Sequence, residues 1–284
     1  MTQPWEATAC ETVEYRSIAG ETVRFNMLVG AVGRLMPPVK VTTLPVPAGV
    51  GSRLLGATHL ERPVSIPVAF PGPITDRTEL RRWARVLDPA PGEGTLTVVN
   101  GPSPGRFLRC SYEAGLEELA EEFPNLNVGH LLFRAVWPYW LDTTEQSVSV
   151  AQGTAMQTWF PFLPLILGAS DAFAAFTVTV TGDVPSWPVI TVTGPGQEVT
   201  ATNDSTGDSW TVSGSLAAGS KLIVDTRPSY KGVTVDGANA YPRLTAGSSL
   251  WPLLPGGNRV TVSMALTDPG SLAVFSWRNA WLAA

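Results

Sequence analysis

The sequence predicts a mainly β fold in two domains, an N-terminal β-sandwich or barrel with one packed α-helix over residues 1–148 and a second β-sandwich over 149–284. Three observations carry this. Apolar residues recur with a period of two through most of the chain, the spacing that lines one face of a strand. One stretch alone, "ITDRTELRRWARVLDP" (74–89), has the helical spacing instead. Glycine (27) and proline (25) are frequent enough to divide the chain into many short elements.

Taken in chain order, "RPVSIPVAF" (62–70) alternates Val64, Ile66, Val68 and Phe70 on one side, as a half-buried strand does. In the helical stretch Asp76 can cap and Glu79 can complete a capping box, while Leu80, Trp83, Ala84 and Leu87 form a core-facing stripe at i, i+3, i+4 and i+7. Pro89 stops the helix. "GTLTVVN" (94–100) and "RFLRCSYEAGL" (106–116) read as a strand pair joined by the turn "NGPSPG". The glutamate-rich "EAGLEELAEEFPNLN" (113–127) reads as an exposed acidic loop or short helix, and "HLLFRAVWPYW" (130–140) as a further strand.

Within that strand, Trp137-Pro138-Tyr139-Trp140 allows two readings, a stacking platform for a ring-shaped ligand or the packed end of the first domain. Pro138 cannot donate to a sheet ladder, so the strand must finish or reach an edge there, which favours domain-junction packing. "TTEQSVSVAQGT" (143–154) is a polar connection that places the boundary between about 142 and 158. Beyond Phe173 the chain reads as six or seven short strands with turn signals every 8 to 12 residues, the pattern of a β-sandwich.

Charged residues make up only 15% and hydrophobic ones 44%, so the outer surface is poor in charge and suits a subunit of an assembly. A net charge of -5 argues against nucleic acid as partner. Arg77, Arg81, Arg82 and Arg85 read as the solvated face of the helix. Cys10 and Cys110 lie in no metal-ligand spacing; a long-range disulfide is one reading and two buried thiols the favoured one. The N-terminus has no basic region followed by an apolar run, so no secretory signal is expected. The apolar "WFPFLPLILGASDAFAAF" (159–176) is broken by Pro161, Pro164, Gly168 and Asp171, so no membrane span is expected either.

Catalytic motifs do not emerge. His59 and His130 are the two histidines, neither beside a partnered nucleophile, and both read as structural hydrogen-bonders. "GVGSRLLG" (49–56) has the wrong glycine spacing for a phosphate loop and reads as a plain loop. Asn203-Asp204-Ser205 reads as a turn rather than a glycosylation acceptor, and Asp183, Asp204, Asp208, Asp225 and Asp236 sit where turns take aspartate. No cofactor and no metal is expected. Trp187, Trp210, Trp251, Trp277 and Trp281 read as core or interface residues, with sugar stacking as the alternative.

The order of short segments resembles the bacteriophage distal tail protein family, the siphovirus-type tail component found in actinobacteriophages. The segments are "VGRLMPPV", "GVGSRLLGATHLERPVSIPV", "RTELRRWARVLDPAPGEGTLTVVNGPSPGRFLRCSYEAGLE", "LLFRAVWPYW", "WFPFLP", "TVTGDVPSWPVITVTGPG", "ATNDSTGDSW", "LAAGSKLIVDTRP" and "SSLWPLLPGGNRVTVSM". Trp137 stands where the family often has an acidic residue, and the "LEELAEEFPNLN" loop differs from the family's. The resemblance implies a structural, non-enzymatic virion protein of a long-tailed phage. It implies a ring, usually hexameric, at the distal end of the tail, joining the tail tube above to the tail hub or fibre apparatus below. It also implies that the first domain forms the ring and that the second is a galectin-like or carbohydrate-module-like sandwich, with a host cell-wall glycan as the alternative partner.

Overall fold

The computed structural model describes residues 12–27, 30–47, 49–71, 77–99, 105–117, 120–123, 126–151, 175–265, 267 and 270–284. These divide by their contacts into a first unit that runs to Thr143 and takes back Trp281–Ala284, and a second unit, Thr144–Ala280. The division falls a few residues before the 148/149 boundary read from the polar run, and the chain's last four residues return to the first unit.

The first unit is a β-barrel. Its elements are β1 (Thr12–Arg16), β2 (Thr22–Met27), β3 (Val39–Pro45), β4 (Ser52–His59), β5 (Arg62–Pro71), α1 (Arg77–Leu87), β6 (Gly94–Val99), β7 (Arg106–Ala114), β8 (Ala120–Phe123), β9 (Leu126–Ala135) and β10 (Trp140–Asp142). Antiparallel pairing runs β7-β6-β1-β2-β5-β9, and β9 pairs again with β7, so six strands close on themselves. Closure is possible because β7 changes partner along its length. Its first residues pair with β10 (Arg106 with Asp142), and its last pair with β9 (Ala114 with Leu132). Gly115 ends β7 at φ 114°, and a Cβ there would collide with the His130 carbonyl, so this tight approach requires glycine.

The barrel interior is filled by the alternating residues the pattern picks out. Val64, Ile66 and Val68 of β5 are buried, with Phe25, Phe133 and Trp140 among the largest fully enclosed side chains. Each such side chain contributes roughly 1.5–3 kcal/mol by leaving water. The side chain of Phe70 lies outside the described residues.

The α1 helix packs through Trp83, Val86 and Leu87, and the Trp83 ring meets Phe25 edge-on at 4.6 Å. Here the predicted stripe needs correction. Ala84 is exposed, Leu80 is partly buried and Val86 is buried, because the bulk of Trp83 turns the helix so that the i, i+3, i+4 set starting at Trp83 faces the barrel. Asp76 and the Glu79 side chain, the expected capping box, lie outside the described residues. The glutamate-rich stretch also departs from expectation. It folds into strand β8, which pairs with β9, because the β9 edge offers a free ladder.

The second unit is a sandwich of two antiparallel sheets. Its strands are β11 (Gln146–Ala151), β12 (Ala175–Val180), β13 (Val189–Thr193), β14 (Gly196–Asn203), β15 (Asp208–Leu216), β16 (Lys221–Asp225), β17 (Gly232–Val235), β18 (Ala238–Asn239), β19 (Gly256–Ala265) and β20 (Leu272–Trp277). One sheet is ordered β11-β20-β13-β16-β17-β18 and the other β12-β19-β14-β15. Strand β11 corrects the reading of 143–154 as connection: it pairs with β20 from Gln146 to Ala151, and Val148 and Val150 pack on the sandwich core. Both sheets feed that core, which holds Trp210, Trp251 and Phe275. A last strand, β21 (Ala280–Trp281), lies beside β10 at the edge of the first unit's sheet.

Candidate functional site

One element of the first unit is uncovered. Strands β3 and β4 form a two-stranded sheet of their own, and every described side chain in it is exposed except His59, which is partly buried. Register fixes its two faces. Val39 pairs with His59, Val41 with Ala57 and Thr43 with Leu54, while Lys40 pairs with Thr58 and Leu44 with Arg53. Paired residues share a face and neighbours alternate, so Val39, Val41, Leu54 and Ala57 lie on one face, and Lys40, Leu44 and Arg53 on the other. A shift of register between Thr42 and Thr43 leaves Leu55 as the extra residue of a bulge. Leu54 and Leu55 are 62% and 58% exposed, far more than buried apolar residues elsewhere in the unit. An isolated two-stranded hairpin is marginal in water, and this one presents apolar side chains to solvent.

The root of the hairpin is held firmly. Val32 and Ser65 exchange both backbone hydrogen bonds, at 2.9 and 3.0 Å. Gly33 follows at φ 86°, where a Cβ would collide with the Pro63 carbonyl, so the chain passes β5 at a distance only glycine allows. Leu60 N–H donates to the Pro38 carbonyl at 2.8 Å and closes the base.

Beneath the root lies Arg62, whose side chain is fully buried. Its Nε donates to the Pro138 carbonyl at 2.6 Å, Nη1 to the carbonyls of Gly33 and Leu35 at 2.7 and 2.9 Å, and Nη2 to Leu282 at 2.7 Å. The planar guanidinium therefore ties three chain segments together through four backbone acceptors. Burial lowers its pKa to about 10, opposed by Tyr139, so it is still protonated at neutral pH. It lies 5.9 Å from the centre of the Trp140 ring.

Trp137, Pro138, Tyr139 and Trp140 fall around this clamp. Trp140 is in the barrel core, Pro138 supplies a carbonyl to Arg62, and the Tyr139 hydroxyl hydrogen-bonds His59 Nδ1 at 2.8 Å at the end of β4. Trp137 stands edge-on to Tyr139 at 5.2 Å. The chain terminus completes the arrangement. Arg106 stacks on Trp281 at 3.9 Å and donates to the Ala283 carbonyl, Trp281 Nε1 donates to Asp142, and Ala284 N–H donates to Arg34 O beside the hairpin root.

On the helix side, Leu80, Ala84, Leu87, Pro89, Tyr112 and Leu116 line an apolar groove of about 680 Å³, with Arg81, Asp88 and Glu117 at its rim. Glu117 accepts hydrogen bonds from Gly115 N–H and the Tyr112 hydroxyl. Its carboxyl is held below the usual range by its own backbone N–H first, then by those two donors. Exposure of Ala84, the departure from the expected stripe, is what opens this groove.

Residues with chemical potential are spent on structure. Asp225 takes Arg227 in a double contact, Asp204 accepts from Thr261, and Asp236 accepts from Lys221 N–H, which lowers its pKa. Asn203 is buried, and its side-chain oxygen caps the turn at Ser205. His130 is exposed on β9. Cys110 is a free, buried thiol whose pKa is pushed far up by burial; Cys10 lies outside the described residues. Among the described residues no three His, Cys, Asp or Glu side chains group as metal ligands, and no helix is long and apolar enough to cross a membrane. The 159–176 stretch lies outside the described residues. Of the second unit's tryptophans, Trp210, Trp251 and Trp277 are buried and Trp187 packs with Lys231 at 5.3 Å. None of the three buried rings can stack on a sugar.

Comparison with known proteins now decides the family. Residues 181–281, most of the second unit, match the family described as siphovirus-type tail component, C-terminal domain. This part of the chain is a phage tail-component domain. Across 95% of the chain, and 98% of the matched one, the fold is similar to the crystal structure of phage SPP1 Dit, described as a paradigm of hub adsorption apparatus in phages that infect Gram-positive bacteria. The TM-score is 0.68 at 15% identity. Two phage p2 baseplate structures, in the activated conformation with calcium and with strontium, match at TM-score 0.52 with 8% and 7% identity over the same shares. No curated sequence matches significantly. The mainly β tail component is thus a phage-tail structural protein by family and by fold.

Sequence reasoning missed two parts of the site. "GVGSRLLG", taken as loop, contains the start of β4; its signal was the alternation Val39, Val41, Thr43 across the turn. Arg62 and Arg106 carried no local signal, since their partners lie up to 220 residues away.

Proposed function

We propose that this tail component is a structural, non-enzymatic subunit of the distal tail ring of a long-tailed phage. Six copies close into a ring through the barrel unit, which joins the tail tube above to the hub or fibre apparatus below. The second, galectin-like unit is carried by each copy, and the protein resides at the tail tip of the virion. The observation that supports this best is the exposed β3–β4 hairpin on a clamped root: a rigidly mounted, apolar and uncovered element has no stabilising role within one copy. It suits contact with another protein surface. Trp137, Pro138, Tyr139 and Trp140 serve that function by fixing the root, and the helix face of Trp83 and Leu87 by holding the barrel.

Electron microscopy of the purified chain tests the reading. Closed rings, and antibody labelling confined to the distal end of intact tails, are expected. A chain that stays monomeric at every concentration, or that is missing from virions, would refute it.

A further inference from the structure

A ring closes by rotation only if each copy carries two different, complementary patches, one given and one received. The barrel unit has one of each kind. The first is the β3–β4 hairpin, apolar on the face of Val39, Val41 and Leu54 and basic on the other through Lys40 and Arg53, which have no ion-pair partner among the described residues. The second is the groove between α1 and the end of β7, floored by Leu80, Ala84, Leu87 and Leu116.

Their charges are opposed. Residues 22–60 contain Arg24, Arg34, Lys40 and Arg53 and no acidic residue. Residues 113–122 contain five glutamates and no Lys or Arg. Asp88 and Glu117 line the groove against the single Arg81, and the sequence adds Glu118, Glu121 and Glu122 directly after. Within one copy the two patches do not meet, because the hairpin is exposed on both faces.

We infer that the β3–β4 hairpin of one copy seats its Val39, Val41 and Leu54 face in the α1–β7 groove of the next copy, with Lys40 and Arg53 facing the acidic rim. This rests on the ring reading above and specifies its interface. Seating removes both apolar surfaces from water, and each copy is left with one open hairpin or groove until the ring closes. The opposed charges fix which way round successive copies join, since hairpin against hairpin would bring like charges together.

Disulfide trapping in the full-length chain, in a Cys10→Ser background, tests the inference. Leu54→Cys and Val41→Cys chains are each mixed with Ala84→Cys and Leu116→Cys chains and oxidised gently, while native mass spectrometry follows assembly separately. A disulfide-linked heterodimer is expected in at least one mixture, and none from any single variant. Arg53→Glu should weaken self-association about tenfold or more, with partial recovery when paired with Glu117→Arg. Assembly of normal mass without any hairpin-to-groove disulfide overturns this interface and leaves the ring reading standing. The same holds if Leu54→Cys chains link to one another, or if Ala84→Cys is found held by residues 159–176. A chain that never assembles overturns both.

Discussion

Two hairpins of this chain obey the same local rules and end in opposite states. In β14–β15, Val199, Ala201, Trp210 and Val212 point into the sandwich core and are at most 3% exposed. In β3–β4, which pairs over a similar length, Val39, Val41, Leu44 and Leu54 are all at least 41% exposed. Alternation alone does not separate them. What separates them is the presence of a second sheet to cover one and a rigid mount with no cover for the other. Apolar alternation therefore tells where a strand is, whereas only the surroundings tell whether its apolar face stabilises the chain or is offered to a partner.

The largest effect should come from the covered hairpin. Trp210→Ala removes a fully buried ring and should cost about 3–5 kcal/mol, read by urea denaturation, with hydrogen exchange accelerating in β14 and β15. Next is the mount of the uncovered one. Arg62→Met strips four carbonyls of a charged donor and should cost about 3 kcal/mol, with exchange accelerating at Gly33, Leu35 and β4. Arg62→Lys keeps the charge but not the planar fork, and should fall between wild type and Arg62→Met.

A smaller, pH-dependent effect belongs to the barrel that carries the mount. Burial raises the Tyr15 pKa to about 12 from 10, so the folded barrel holds this proton more tightly than the unfolded chain. The resulting stability, on the order of 2 kcal/mol, is present below pH 10 and is lost as pH rises towards 12. Tyr15→Phe should flatten that alkaline decline in a denaturation series. The smallest effect on stability should come from the uncovered hairpin itself. Leu54→Asp should change the unfolding free energy by less than about 0.5 kcal/mol, since the residue is exposed, yet it should suppress self-association.

How far the sequence led follows from the range of the interactions involved. Strands β5, β6 and β7, helix α1 and most of the sandwich were legible because apolar period and turn residues act locally. Residues Trp137 to Trp140 were recognised as packing residues from Pro138, which interrupts the ladder. The clamp was not legible: Arg62 meets Pro138 across 76 positions and Leu282 across 220, and no local pattern marks an arginine that will bind backbone carbonyls. Ala84 was misplaced because helical spacing gives a face about a turn wide, and the orientation within it was settled by Trp83 against Phe25. Strand β11 was hidden because its polar composition reads as linker, although its Val148 and Val150 alternate.

The central claim is that the barrel unit presents the β3–β4 hairpin for assembly and not for its own stability. Native mass spectrometry of wild type beside Leu54→Asp, at matched concentration and with melting curves recorded in parallel, tests it most directly. The account predicts a closed multiple of the chain mass for wild type, monomer for Leu54→Asp, and superimposable melting of the monomeric fractions. Equal assembly by both chains, or a collapse of folding in Leu54→Asp, would contradict it.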